Sequence, residues 1–412
     1  MDFLLFLLLV ATASCLQTKD LPIRFDNFQV YHVIPRTSQQ LEILKRLQEN
    51  PQGFNFWNEV AVTGRKVDIM VPPHLKYNFR DLVQEFDAEL WIENVQQLLD
   101  NEGSQVDSKP DDFHWTDYHT LESIYAWMDS LARKYPDIVT PLVGGRSYEG
   151  REIRGVKLSF GTGKKGIFME GGIHAREWIS PATVTYMLNE LLSSDNATVR
   201  AVAESRDWYF FPSVNPDGYV YTITNRMWRK TRKPYGLCVG ADPNRNWNYR
   251  WMNGGASQNR CSEIFAGDAP FSEPETKSLS EFINSVSDTL DIYLAFHSYS
   301  QLLLIPFGHQ GREIPKNNDE LHRIGRAAAD SLRVRYGTEF KVGNIPNMLP
   351  SLSSGGSIDW VLGEHRNIRI VYAYELRDTG RYGFILPPEQ IIPSGEETLD
   401  SLVRLIHEVD SS

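Results

Sequence analysis

Two histidines and a glutamate stand where they could share one metal ion. In His174-Ala175-Arg176-Glu177 a histidine and a carboxylate lie three residues apart, directly after an apolar run at 167–169 that leads into Gly171-Gly172. On a turn leaving a strand, both side chains can face one ion, and zinc takes imidazole nitrogen and carboxylate oxygen in a tetrahedral site. A catalytic zinc keeps one position for water, so a further protein ligand is needed. His297 follows the apolar run 292–296, and the ends of neighbouring strands in an α/β sheet converge on one crevice. Taken alone the spacing is unspecific, because a histidine at a strand end is equally at home as a hydrogen-bonded core residue.

Other polar residues strengthen the pattern. Glu375 follows the apolar run 368–374, where a carboxylate needs a partner or a task. It could serve as general base toward a metal-activated water; the alternative is an ion pair with Arg377 or another arginine. Asp242 lies close to Asn244-Arg245-Asn246-Trp247 and could orient a metal-bound histidine. Arg229, Asn244 and Arg245 follow the strand-like run 208–211 and could bind a carboxylate, since a guanidinium pairs with both oxygens at once. Each arginine could equally be a solvated surface charge.

The elements that must position these groups are legible as periodicities. Residues 167–169, 292–296 and 368–374 predict buried strands. Ser180 and Pro181 predict the start of a helix with Met187, Leu188, Leu191 and Leu192 on one face. Ser272-Glu273-Pro274-Glu275 reads as a capping box ahead of Leu279, Phe282, Ile283 and Val286. From about residue 113 this alternation predicts an α/β fold, a mixed but largely parallel central sheet flanked by helices. Before it, strands are expected at 28–34, 66–71 and 90–94, and helices at 38–49 (with Leu41, Leu44 and Leu47) and 78–86. Residues 16–100 therefore read as a separate small α/β unit. The polar stretch 101–112, with Gly103, Ser104 and Pro110, reads as a linker to a main domain at 113–412.

Composition narrows the function. The 412 residues are 41% apolar and 23% charged, as in a globular protein. A net charge of −11 without a dense Lys/Arg block argues against a nucleic-acid partner. Residues 1–15 hold a short apolar run, 3–10, then Ala11, Thr12, Ala13 and Ser14, which reads as a secretory signal peptide despite the acidic Asp2. The run is too short to span a bilayer, and no later segment is apolar enough. Loss of Cys15 with the signal would leave Cys238 and Cys261, an even pair in an oxidising compartment. Joined, they would close a loop worth roughly 3 kcal/mol in the chain-entropy picture. Asn196-Ala197-Thr198 is a glycosylation motif.

Taken together, the motifs resemble those of the zinc metallocarboxypeptidases of the A/B type in their zymogen form. In order they are His174-Ala175-Arg176-Glu177, Asn215-Pro216-Asp217-Gly218-Tyr219, Trp228-Arg229-Lys230-Thr231-Arg232, Asp242-Pro243-Asn244-Arg245-Asn246-Trp247, His297-Ser298-Tyr299-Ser300-Gln301, Ser354-Gly355-Gly356-Ser357-Ile358-Asp359-Trp360, and the run from Glu375 to Phe384. The resemblance covers nearly everything from residue 113 on, and 16–100 is similar to the family's activation segment, which is ferredoxin-like. It implies one Zn²⁺ per chain on His174, Glu177 and His297, a ligand set that general metalloenzyme chemistry already gives for this family. It implies Glu375 as general base and Arg229 as the group that polarises the scissile carbonyl. It implies Asn244 and Arg245 as the grip on the substrate's C-terminal carboxylate, with Arg176, Ser298 and Tyr299 as further substrate contacts. It also implies a Cys238–Cys261 disulfide.

Ile358 stands where the base of the side-chain pocket is expected, and an aliphatic residue there disfavours a charged side chain. The expected enzyme is a secreted monomer that removes apolar or aromatic residues from peptides with a free C-terminal carboxylate, after an activating protease has cut the linker. Two departures bear on this. The family's mobile tyrosine is replaced by Ser351, which implies weaker substrate binding with hydrolysis retained. The only Lys or Arg from 81 to 131 is Lys109, and Pro110 follows it, a poor site for trypsin-like enzymes, so either another protease cuts in the 100–112 region or the segment persists. A zinc-dependent peptide binder without catalysis is the rival reading; Glu375 and Arg229 argue against it.

Overall fold

The computed structural model describes residues 21–60, 62–311, 313–349 and 351–411. The signal segment expected at 1–15, with Cys15, lies outside them.

Four antiparallel strands form an N-terminal sheet: β1 (Gln29–Ile34), β2 (Asn55–Phe56), β3 (Val67–Val71) and β4 (Asp87–Ile92), in the order β2-β3-β1-β4. Helix α1 (Ser38–Glu49) starts where its periodicity predicted, because Thr37 and Gln40 close a capping box around the first turn. Helix α2 (Lys76–Leu82) and helix α3 (Val95–Glu102) complete the unit. Val33, Leu44, Ile69, Val71 and Phe79 form its core. Beyond α3 the polar stretch is pinned at 106–108: Val106 N donates to Tyr118 O (2.8 Å), Thr120 N to Val106 O (3.1 Å), Thr120 Oγ1 to Asp107 Oδ1 (2.7 Å) and Ser108 N to Ser123 Oγ (2.9 Å).

The main sheet has eight strands. In chain order they are β5 (Val139–Arg146), β6 (Glu152–Ser159), β7 (Gly166–Glu170) and β8 (Asp207–Phe211). After a small hairpin, β9 (Pro234–Tyr235) with β10 (Cys238–Val239), come β11 (Leu290–Ser298), β12 (Leu302–Ile305), β13 (Lys341–Asn344) and β14 (Ile370–Leu376). The order across the sheet is β13-β12-β14-β11-β7-β8-β6-β5. The centre, β14 to β8, is parallel throughout, and antiparallel pairs join β14 to β12, β8 to β6 and β6 to β5.

Helices pack on both faces. They are α4 (Leu121–Lys134), α5 (Ile179–Ser193), α6 (Ala197–Ser205), α7 (Pro216–Tyr221), α8 (Pro274–Val286), α9 (Asn318–Tyr336), α10 (Ile345–Met348), α11 (Ser357–Glu364) and α12 (Ile391–Asp410). Period two divides the strands between the faces. Ile292, Leu294 and Phe296 of β11 join α4, α5, α9 and α12 in one core, whereas Tyr293 and Ala295 join α8 and α11 in the other. The same alternation puts His297 on the second face, and Glu375 follows Val371 and Ala373 onto it.

Two local expectations are corrected. Ser180 does not cap α5, which already begins at Ile179. Its hydroxyl instead accepts from Gly172 N (2.9 Å) and donates to Phe296 O (2.6 Å). The capping box at Ser272 is absent: Glu273 occupies the cap position of α8, no side chain caps it, and Pro274 has no N–H to offer. Glu275, the expected reciprocal partner, accepts from Tyr148 N at 3.0 Å instead.

Candidate active site

The turn after β7 is built from two glycines. Gly172 has φ +63°, and a Cβ there would lie 3.1 Å from Pro212 O, so a side chain would be both strained and crowded. The turn is tied to the end of β11 through Ser180, and Asn215 holds it from below, donating to Ile173 O and Lys230 O at 3.1 Å each. Ala175 N donates to Arg229 O (3.0 Å), which fixes the Arg229 segment against the same turn.

These ties bring the three predicted ligands together. His174 Nδ1 lies 2.8 Å from Glu177 Oε1 and 3.2 Å from His297 Nδ1, which is itself 3.3 Å from Glu177 Oε2. Two donor atoms bonded to one zinc at about 2.1 Å and a tetrahedral angle would be roughly 3.4 Å apart. The three buried side chains thus already stand at separations near those of ligands on one ion, and among the described residues this is the one group of three or more such side chains whose ligand atoms all lie within 4.8 Å of one another. Ser298 N donates to Glu177 Oε2 (3.2 Å) and so orients the carboxylate.

Asp242, fully buried, links this group to Arg229. Its Oδ1 lies 3.1 Å from His174 Nε2, and its Oδ2 accepts from Arg229 Nη2 (2.8 Å) and Nε (3.2 Å). Burial opposes ionisation of Asp242, but Arg229 and His174 outweigh it and hold the carboxyl well below the usual carboxylate range. Glu375 is the direct ladder neighbour of His297 on β14. It is half-buried and lines the cavity, and burial raises its carboxyl, with Glu177 pushing the same way against the pull of His297. Arg377 is not its partner, since it turns to Glu397 (Nε to Oε1, 2.7 Å).

The cavity beside this group has a volume of about 500 Å³. Asn244, Arg245, Ser298, Tyr299 and Ile358 all line it, as do Leu302, Leu304, Ile345, Met348, Ala373 and Ser351. The structure therefore gathers every residue singled out for substrate contact at one place. Cys238 and Cys261 form a disulfide with Cα atoms 5.2 Å apart, tying the β9–β10 hairpin down. Asn196 is exposed at the start of α6, where its Oδ1 accepts from Thr198 N (2.9 Å) and Val199 N (3.3 Å).

The N-terminal unit forms the other wall, and these residues escaped sequence reasoning. Glu59 forms an ion pair with Arg245. Arg176 Nη1 donates to Asn55 Oδ1 (3.0 Å), Nη2 donates to Phe56 O (3.4 Å), and the guanidinium lies 4.0 Å from the centre of the Phe384 ring. Tyr299 OH donates to Asp68 Oδ2 (2.7 Å); Asp68 Oδ1 lies 2.7 Å from His32 Nδ1. No spacing in the sequence announces Glu59, Asn55 or Asp68, because each acts only across the docked surface. Arg226 and Glu102, a buried bidentate pair (2.6 Å twice), pin the end of α3 to the main domain. Glu170 was also missed, though it carried the same signal as Glu375: a carboxylate closing an apolar strand run.

Comparison with known proteins agrees with this geometry. The family model "Zinc carboxypeptidase" matches residues 124–401, and the model "Carboxypeptidase activation peptide" matches residues 31–102. The chain is 48% identical over 393 residues to zinc carboxypeptidase A 1 of Anopheles gambiae, covering 93% of this chain and 90% of that one. It is 42% identical over 423 residues to zinc carboxypeptidase A 1 of Drosophila melanogaster, covering 99% and 97%. The crystal structure of thrombin-activatable fibrinolysis inhibitor superposes with a TM-score of 0.86 at 32% identity, covering 94% of this chain and 100% of that one. No helix among the described residues is long and apolar enough to cross a membrane. The chain belongs to the zinc carboxypeptidase family: it is a zinc metallocarboxypeptidase preceded by an activation segment.

Proposed function

We propose that this enzyme is secreted as a zymogen and, once activated, removes apolar or aromatic residues from peptide C-termini. The observation that carries the reading is the layout of one cavity: a three-donor metal group, Glu375 beside it, Asn244 and Arg245 on the wall, and Ile358 among apolar side chains.

His174, Glu177 and His297 would hold the zinc, which supplies the positive charge that acidifies a water and polarises a carbonyl. Arg245 and the Asn244 amide grip the terminal carboxylate and thereby set the last peptide bond beside that group. The Glu375 carboxylate takes a proton from the attacking water and passes it to the leaving nitrogen. Arg229, braced by Asp242, donates to the carbonyl oxygen as charge develops on it. The departing side chain lies against Ile358, Leu302, Leu304, Met348 and Ala373. Asp359, next to Ile358, accepts from Gly308 N with both oxygens (2.8 and 3.1 Å). Ile358 itself offers a lysine or arginine no partner, so burying a charge against it costs free energy that apolar residues avoid. Ser351 on the cavity wall supports weaker substrate binding than a tyrosine would give.

In the zymogen the substrate contacts are already taken: Arg245 by Glu59, Arg176 by Asn55 and Phe56, Tyr299 by Asp68. Activation follows a cut within 101–112 by a protease that is not trypsin-like. The disulfide and the apolar N-terminal run support secretion. The zinc-loaded chain, cut in that stretch, is expected to release Phe from a blocked dipeptide at least about tenfold faster than Arg at equal concentration. Faster release of Arg would overturn the specificity assigned to Ile358.

A further inference from the structure

Glu170 lies outside the chemistry just described, yet it is a fully buried carboxylate at the end of β7, four residues before His174. In the ladder it stands beside Ala295 of β11, on the face that carries His297. Its Oε1 accepts from Ser357 Oγ at 2.5 Å. Its Oε2 and the buried hydroxyl of Tyr293, two residues before Ala295 on the same face, make no hydrogen bond of ordinary geometry, although Tyr293 lies close enough to act on the carboxylate. A buried acid with no cation paired to it costs stability, and one that persists has a task.

The task follows from what Ser357 does next. It is the first residue of α11, directly before Ile358, and its backbone N–H donates to Asn244 Oδ1 at 3.0 Å. An amide whose oxygen is engaged in this way turns its NH₂ group the other way. Among the described residues nothing accepts from Asn244 Nδ2, and Asn244 lines the cavity. The two glycines before Ser357 make the approach possible. Gly355 has φ +73°, and a Cβ on it would sit 2.5 Å from Arg245 O; a Cβ on Gly356 would sit 3.2 Å from Asn244 Oδ1.

We infer that Glu170 is a positioning residue for substrate binding: through Ser357 it fixes the start of α11, and so aims the Asn244 amide donors at the peptide's terminal carboxylate. This rests on the carboxylate-gripping role proposed for Asn244. The two hydrogen bonds connect the end of β7, the first turn of α11 and the loop carrying Asn244 and Arg245. The metal group and the carboxylate grip are thereby held at a fixed spacing.

The test uses the zinc-loaded full chain cut in the 101–112 stretch. The variants are Ser357→Ala, Glu170→Ala and Glu170→Gln, where Gln keeps an acceptor at the same reach. Ser357→Ala and Glu170→Ala are expected to raise KM about fivefold to tenfold, the worth of one hydrogen bond, with kcat changed less than about threefold. The inhibition constant of 3-phenylpropanoate, which needs the carboxylate grip, should rise by the same factor. That of acetohydroxamate, which needs only the metal, should not move, and zinc content should stay at one per chain. Glu170→Gln should return KM to within about threefold of the parent. The inference is overturned if kcat falls instead of KM rising, if both inhibitors weaken equally, or if Gln behaves as Ala. Should Glu170→Ala fail to fold, Ser357→Ala alone decides, since it removes one oxygen. A parent chain that releases no C-terminal residue would sink the proposed function itself, a different outcome from an active parent with silent variants.

Discussion

The main domain and the activation segment treat the same cavity in opposite ways. The main domain secures its charges from within: Asp242 braces both His174 and Arg229, and Ser298 N steadies Glu177. The groups a peptide would touch, Arg245, Arg176 and Tyr299, are instead completed from outside, by Glu59, Asn55 and Asp68. The metal group is thus supported from within the main domain, whereas the outward-facing donors of Arg245, Arg176 and Tyr299 are filled by the docked segment. On the role proposed for Arg245, the Glu59 carboxylate and a peptide's terminal carboxylate would make the same interaction with it.

This contrast can be broken on either side. The largest effect is expected from Glu375→Gln, which keeps shape and removes the base. Steady-state kinetics of the cut enzyme should show kcat lower by about 10²–10⁴, with KM and zinc content nearly unchanged. If KM rises instead, Glu375 belongs with the substrate contacts and the division above is wrongly drawn. Next in size is Glu59→Ala, which leaves Arg245 without its partner. The cut activation segment should then inhibit at least about tenfold less tightly, since truncating one member of a largely buried pair costs about 2–5 kcal/mol. An unchanged inhibition constant would mean that Glu59 merely covers the cavity.

The smallest effect concerns the main domain alone. Glu275 is buried with one oxygen unpartnered, and burial pushes its carboxyl up to about 7. Folding therefore takes up a proton between its ordinary value and about 7, so this group makes stability fall as pH rises through that window. Thermal unfolding of Glu275→Gln should show a higher Tm than the parent at pH 8 and little difference near pH 4. A Tm difference that is the same at both pH values would contradict the assignment.

Much of the active centre was legible because strand ends and period two are written in the sequence. His297 and Glu375 each follow an apolar run, and the parallel register of β11 and β14 makes them neighbours. The glycine pair before His174 marked the turn that aims it. Helix starts were less legible. Ser180 has a favoured cap identity, but its hydroxyl is worth more between two strand ends, where it satisfies Gly172 N and Phe296 O at once. Ser272 failed as a cap because Pro274 removes a donor and Glu275 is drawn to Tyr148 N. The blocking contacts were illegible for a different reason. Glu59 and Asp68 sit in a unit whose own pattern describes only its own core, and docking is a property of two surfaces that no single periodicity encodes.

The most direct measurement is anomalous scattering at the zinc edge from crystals of the full chain grown with zinc. One peak per chain is predicted, about 2.1 Å from His174 Nδ1, His297 Nδ1 and a Glu177 oxygen, with Glu375 nearby but unbound. A peak bound through other residues, or two peaks sharing these three side chains, would contradict the account.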